Sequence, residues 1–168
     1  MAPALLGTYL VKVDSDGVQR IGKIVETEAY RGEEDEACHA HKGRTPRTDV
    51  MYGPPGCAYV YLIYGMHDLL NITAWPEGQP AGILIRALEP IWNLHGKTQG
   101  PGRLTRAMGI DRSLNRHPLH TPPLLVTCGE DVKAEEIVSG PRIGIPYANG
   151  WKDKPWRFWI RDNPYVSV

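Results

Sequence analysis

Fifteen prolines and eighteen glycines are scattered along the whole 168-residue chain, and no repeat, low-complexity tract or long polar linker divides it. Proline lacks a backbone donor and glycine weakens regular elements, so such punctuation favours short strands and turns over long helices. The runs between them are rich in β-branched and aromatic residues: GKIVETEAY (22–30), CAYVYLIY (57–64), LLNITAW (69–75) and AGILIRALEP (81–90). LLVTCG, RIGIP and RFWIRDN read as further strands. Helical patterning is confined to PALLGTYLV at the start and RLTRAMGI (103–110), after a Gly-Pro-Gly turn. The expected fold class is α+β: a single mixed α/β domain over 1–168 with a curved antiparallel β-sheet.

Two strands carry unusual side chains. In YVYLIYGMHD (59–68) two apolar runs flank a polar, glycine-containing connection, which predicts a β-hairpin with Tyr64 at its tip. Alternation puts Tyr59, Tyr61 and Ile63 on one face and Val60, Leu62 and Tyr64 on the other. In IVETEAY the same alternation groups Ile24, Glu26, Glu28 and Tyr30. The bland reading of that strand is a half-exposed one whose glutamates face water, since carboxylates are seldom buried unpaired.

Charge and cysteines narrow the class. Nineteen basic side chains balance nineteen acidic ones, so composition announces no nucleic-acid partner. Distribution is more telling. Lys97, Arg103, Arg106, Arg112 and Arg116 face only Asp111 between 97 and 116, and further basic residues lie in HKGRTPR (Arg44, Arg47) and at Lys152, Lys154, Arg157 and Arg161. Singly these are solvated surface charges; gathered by folding they would form the phosphate-binding rim a duplex requires. Cys38, Cys57 and Cys128 show no metal or disulfide spacing, and CHAH (38–41) lacks a second half, so neither metal nor cofactor is expected. No run reaches the roughly 18 apolar residues of a membrane span, and the start lacks a signal-peptide pattern. The reading is a soluble, cytoplasmic monomer that makes no use of a membrane.

Taken in order, GKIVETEAYRGEEDEACHAHKGRTPRTDVMYGPPGCAYVYLIYGMHDLLNITA, ILIRALEP, GPGRLTRAMGID, GPRIGI and PWRFWIRDNPYVS resemble the alkyladenine (3-methyladenine) DNA glycosylase family from Leu5 to Val168. The resemblance implies a base-excision repair enzyme acting on double-stranded DNA that contains damaged purines, with a β-hairpin inserted into the minor groove. It implies Tyr64 as the intercalating wedge, and Tyr30, His39, Tyr61 and Asn71 as the pocket for the extruded base. Glu28 is implied as the catalytic carboxylate and Arg86 as its partner. Arg44, Arg47, Arg103 and Arg106 are candidate backbone contacts.

The chemistry fits these residue types. A flipped base loses stacking and pairing that the protein must replace. An electron-rich ring attracts a cationic alkylpurine by about 0.5–2 kcal/mol, and Asn71 is implied to exclude guanine through its 2-amino group. A carboxylate stabilises oxocarbenium character on the sugar and accepts a proton from water. No lysine falls at the matching active position, so monofunctional hydrolysis is expected. The H-x-E and P-C-x-x-C patterns of zinc deaminases, which also act on flipped bases, do not occur. His67, His95, His117 and His120 are assigned no chemistry. Two departures stand out: Asp68 at the hairpin, where negative charge opposes phosphate, and Arg31 at a commonly apolar position. The rival readings are a catalytically inactive damaged-DNA-binding protein, against which Glu28 and Arg86 argue, and a nucleoside or RNA N-glycosidase, against which Tyr64 argues.

Overall fold

The computed structural model describes residues 1–167, with nine strands and one α-helix among them: β1 (Tyr9–Val13), β2 (Gln19–Arg31), β3 (Ala58–Ile63), β4 (His67–Thr73), β5 (Ala81–Trp92), α1 (Pro101–Met108), β6 (His120–Thr121), β7 (Leu124–Thr127), β8 (Ile137–Gly140) and β9 (Arg157–Ile160). All strands belong to one antiparallel sheet of order β3-β4-β5-β2-β1-β7-β6, with β9 joined to β2 and β8 to β9. The α+β class with a curled antiparallel sheet is what the sequence predicts. Its axis is β2. This strand pairs with β5 along one edge and shares its other edge between β1, opposite residues 19–23, and β9, opposite residues 26–28.

Two local readings are corrected. The first segment is not a helix: a single 3-10 turn at Pro3–Leu5 gives way to β1, because the β-branched YLVKV run finds partners on both edges in β2 and β7. RIGIP is not a strand either. It lies in a loop after β8, and the Arg142 side chain there is turned inward.

The side-chain alternation of β2 is also broken, and this decides where the carboxylates go. Register shifts fall on either side of Glu26: β2 carries an extra residue at Val25, and β5 carries one at Arg86. Bulges reverse the face that following side chains occupy. Ile24 therefore packs with Ile85 and Leu88 in the core, whereas Glu26 and Glu28 both reach Arg86 on the opposite face. Ile24 does not share a face with the two glutamates, and neither glutamate faces water.

The main core gathers Leu10, Ile24, Leu70, Ile85, Leu88, Leu104, Met108 and Leu124 between the sheet and α1. The helix begins with Pro101 in its first turn and ends at Gly109, which adopts the left-handed conformation (φ 68°) that closes helices. It braces the β3–β4 hairpin close to its tip. Thr105 Oγ1 donates to the Asp68 carbonyl at 2.6 Å, and Gly102 lies so close to His67 that an added Cβ would sit 3.0 Å from the His67 Cβ. At the tip, Tyr64 and Gly65 have positive φ (51° and 67°) and Met66 N donates to Ile63 O at 3.1 Å, the geometry of a tight primed turn. Leu104→Ala should lower stability by roughly 2–5 kcal/mol in urea denaturation, whereas Met66→Ala at the exposed tip should change it by less than about 0.5 kcal/mol.

Candidate active site

A cleft of about 600 Å³ opens between the hairpin, the start of α1 and the loop after β8. Tyr30, His39, Tyr59, Tyr61, Tyr64, His67, Asn71, Arg86, Arg103, Arg106, Ile143, Tyr147 and Ser167 line it. The sheet supplies its floor and one wall. Tyr30 comes from β2, Tyr61 and Tyr59 from β3, Asn71 from β4 and Arg86 from β5, so adjacent strands deliver the aromatic and polar groups to one face. Tyr64 also borders this cleft. Strict alternation would put it on the opposite face from Tyr61, but its left-handed backbone takes it out of the strand pattern. Tyr64 is 82% exposed, a large aromatic presented to solvent on a two-strand support.

Beneath the cleft lies a group of buried charges. Glu28 is fully buried: Oε1 accepts from Ile143 N at 2.7 Å and lies 3.3 Å from Arg86 Nη1, while Oε2 accepts from the Tyr30 hydroxyl at 2.9 Å. Tyr30, Arg86 and Ile143 all line the cleft, so the carboxylate stands one group below its surface. Glu26, also fully buried, is the hub. Its Oε1 accepts from Arg86 Nε (3.1 Å), Arg157 Nε (2.6 Å) and Ser167 Oγ (2.9 Å), and its Oε2 accepts from Ser167 N at 2.7 Å. Two carboxylates are thus matched by two guanidiniums, the condition under which buried ions are tolerated. Arg157 belongs to this network and not to a phosphate rim. The places of Glu26, Ser167 and Ile143 N–H in this network were not assigned from sequence; the available signal was that two glutamates one residue apart in an apolar strand need cationic partners.

The aromatic wall holds its protons. Burial, and then the neighbouring Glu28 carboxylate, keep the Tyr30 hydroxyl well above the ordinary phenol range, and burial likewise raises Tyr61 and Tyr59. His39, with Nδ1 2.9 Å from the Tyr59 hydroxyl and its ring edge-on to Tyr61, is pushed down to about 4 by burial and by the nearby Arg47 charge. The imidazole is therefore neutral at physiological pH. The amide nitrogen of Asn71 is buried without a hydrogen-bond partner in the cleft wall. The other members of the CHAH stretch are engaged separately: Cys38 is buried, its thiol raised to about 12 chiefly by desolvation, and His41 Nδ1 lies 2.7 Å from Glu33 O.

The basic residues divide. Arg103 and Arg106 are exposed on the cleft rim. Arg44 and Arg47 lie outside the lining; Arg44 pairs with Asp49 at 2.7 Å, and Arg47 lies over the Tyr61 ring at 5.2 Å. Asp68 pairs with Arg112 Nε at 3.0 Å, a counter-charge that offsets its repulsion of phosphate. Arg31 is accounted for by its stack over Trp75 at 5.3 Å and its pairing with Glu34. His117 is structural, with Nε2 against the Thr121 and Leu124 carbonyls, whereas His67 stands in the cleft mouth.

The methylpurine-DNA glycosylase (MPG) family profile matches residues 1–164. The chain belongs to the methylpurine-DNA glycosylase family. Curated relatives agree with this membership along nearly the whole chain. A Myxococcus xanthus protein with the printed name "Putative 3-methyladenine DNA glycosylase" is 51% identical over 169 residues, covering 99% of this chain and 87% of its own length. A Legionella pneumophila protein of the same printed name is 49% identical over 168 residues, covering 99% and 91%. Membership in a family of DNA glycosylases gives the cleft of this MPG-family chain a class of substrate, DNA, and a class of reaction, release of a base.

The half-buried, neutral His39 makes acid a specific threat to this site. Its folded-state value lies near 4, below the ordinary 6.5, so the unfolded chain takes up a proton that the folded chain refuses. That part of the stability is complete above about pH 6.5 and is lost as pH falls towards about 4. Urea midpoints should drop more between pH 7 and pH 5 in the parent protein than in His39→Gln.

Proposed function

We propose that this protein is a monofunctional glycosylase that extrudes alkylated or deaminated purines from duplex DNA, 3-methyladenine, 7-methylguanine, hypoxanthine and ethenoadenine among them, and hydrolyses the N-glycosidic bond to leave an abasic site. The observation that carries this reading is the position of Glu28: a buried carboxylate held by Arg86 and Ile143 N–H directly beneath a cleft walled by Tyr30 and Tyr61.

The exposed Tyr64 ring enters the base stack where the lesion leaves it, and Arg103 and Arg106 on the rim take phosphates on either side. The purine stacks against Tyr30 and Tyr61, which offer π-faces to a ring that alkylation has made cationic. Asn71 stands in the wall against the purine edge, where it disfavours the 2-amino group of guanine; a cationic guanine such as 7-methylguanine offsets that contact through its attraction to the tyrosine rings. The sugar then lies over Glu28 and Arg86.

In the free protein the Tyr30 hydroxyl occupies Oε2 of Glu28. As the purine settles on Tyr30, a water takes the place of that hydroxyl. It attacks C1′ while the bond to the base nitrogen breaks; the bonding pair leaves with the purine and the water's proton passes to Glu28. Positive charge develops on the sugar in this step, and the carboxylate opposite it supplies stabilisation as well as the proton acceptor. A cationic alkylpurine leaves neutral, so it needs no acid.

Glu28→Gln should abolish base release, scored as alkali-labile abasic sites, and leave binding to an alkylated duplex within a few-fold of the parent. Loss of binding and release together would make Glu28 a structural residue only. Tyr64→Ala should slow release from paired duplex by about tenfold or more, given the few kcal/mol needed to unstack a base, and affect a lesion in single-stranded DNA much less.

A further inference from the structure

On the side of Tyr30 away from the cleft lies a second buried ion pair. Arg142 Nη1 and Nη2 donate to the Asp35 carboxylate at 2.6 and 2.8 Å, and both side chains are wholly inaccessible. Asp35 also accepts from the Arg31 and Ala37 backbone N–H groups, and Arg142 Nη1 donates to the Ala29 carbonyl, so the pair is fixed to the backbone on both sides of Tyr30. The Arg142 guanidinium lies 4.7 Å from the Tyr30 ring centroid. Arg142 is not part of the cleft lining, whereas Tyr30 is, so the guanidinium covers the ring face turned from the bound base.

Resting on the glycosylase reading above, we propose that the Asp35–Arg142 pair sets the charge selectivity of the base pocket: Asp35 cancels the Arg142 charge behind Tyr30, so that the other face of that ring still accepts a cationic purine.

A guanidinium behind an aromatic ring withdraws the electron density that a cation on the opposite face needs, and it also repels that cation through a poorly screened interior. Arg142 cannot rely on water for screening because it is buried. The contrast with Tyr61 is instructive: Arg47 lies 5.2 Å from that ring but is exposed, so solvent and salt attenuate its field. Only the buried guanidinium needs a buried counter-charge. The pair is also a positioning device, because the residue after Arg142 supplies the N–H that holds Glu28. Positioning alone would affect all lesions alike; charge would not.

The test is single-turnover base release from duplexes carrying 7-methylguanine, a cationic lesion, or hypoxanthine, a neutral one. Asp35→Asn leaves one uncompensated positive charge and should lower the 7-methylguanine to hypoxanthine rate ratio about tenfold, the order expected for a unit charge some 8 Å away in a partly screened interior. Arg142→Gln leaves the opposite charge and should raise the ratio. The double variant Asp35→Asn/Arg142→Gln is neutral again and should return the ratio to within about threefold of the parent, even where overall rates fall. Should Asp35→Asn fail to fold, the other two variants still read the effect. Equal slowing of both lesions in every folded variant would overturn the proposal and reduce the pair to a structural clamp. A parent protein that releases neither base would overturn the glycosylase reading itself, and this proposal with it.

Discussion

The structure depends on keeping ionised groups dry beneath an open cleft. Glu26 and Glu28 are fully buried, Arg86 is buried where it borders the cleft and Arg157 is half-buried behind it, so the two carboxylates have no water to solvate their charge. Each must find its counter-charge and hydrogen bonds within the protein, and removing a single partner from such a group costs about 3–5 kcal/mol. That requirement explains why distant parts of the chain meet here. Ser167, close to the end of the chain, closes over Glu26, and Ile143 from the loop after β8 closes over Glu28. A network assembled from β2, β5, β9 and two loops cannot form piecemeal, so the site and the fold are completed together.

The paired bulges give this arrangement its geometry. A regular β2 would send Ile24, Glu26 and Glu28 to the same side and would put either Ile24 in the cleft or the glutamates in the core. Extra residues at Val25 and Arg86 shift the phase of both strands at the same level. Ile24, Ile85 and Leu88 thereby face the core with α1, while Glu26, Glu28 and Arg86 face the other way. Local twist and re-aimed side chains are what bulges provide near active sites. The hairpin applies the same logic at its tip, where a left-handed Tyr64 brings an exposed ring to the cleft side of the molecule.

Much of this was legible in the residues. The strand runs other than RIGIP and the hairpin follow from β-branched content and turn chemistry and occur where the sequence places them, whereas the short helix starts at Pro101 within the Gly-Pro-Gly stretch and not after it. The family resemblance drawn from long motifs agrees with the profile match over residues 1–164. Tyr30, His39, Tyr61, Asn71 and Arg86 do line one cavity, with Glu28 touching it through Tyr30. What sequence could not show was phase. A bulge leaves no fixed signature in a single sequence, so the faces of Ile24 and Tyr64 were misread. Partnership was equally hidden: Arg157 looked like surface charge until β9 placed it against Glu26, and nothing local links Asp35 to an arginine more than a hundred residues away. RIGIP illustrates a third limit. Its apolar residues satisfy a strand pattern, yet the segment's task is to lay Ile143 N–H on Glu28, which a paired strand edge would forbid.

The proposed reaction requires one purine, one wedge and one buried carboxylate to act in a single cleft. A crystal structure of Glu28→Gln bound to a duplex with a single ethenoadenine tests it most directly. The lesion should be rotated out of the helix and lodged between the rings of Tyr30 and Tyr61, with Tyr64 filling the gap it left and C1′ above residue 28. A lesion still stacked in the duplex, or one held at a surface that does not include the β2 and β3 tyrosines, would contradict it.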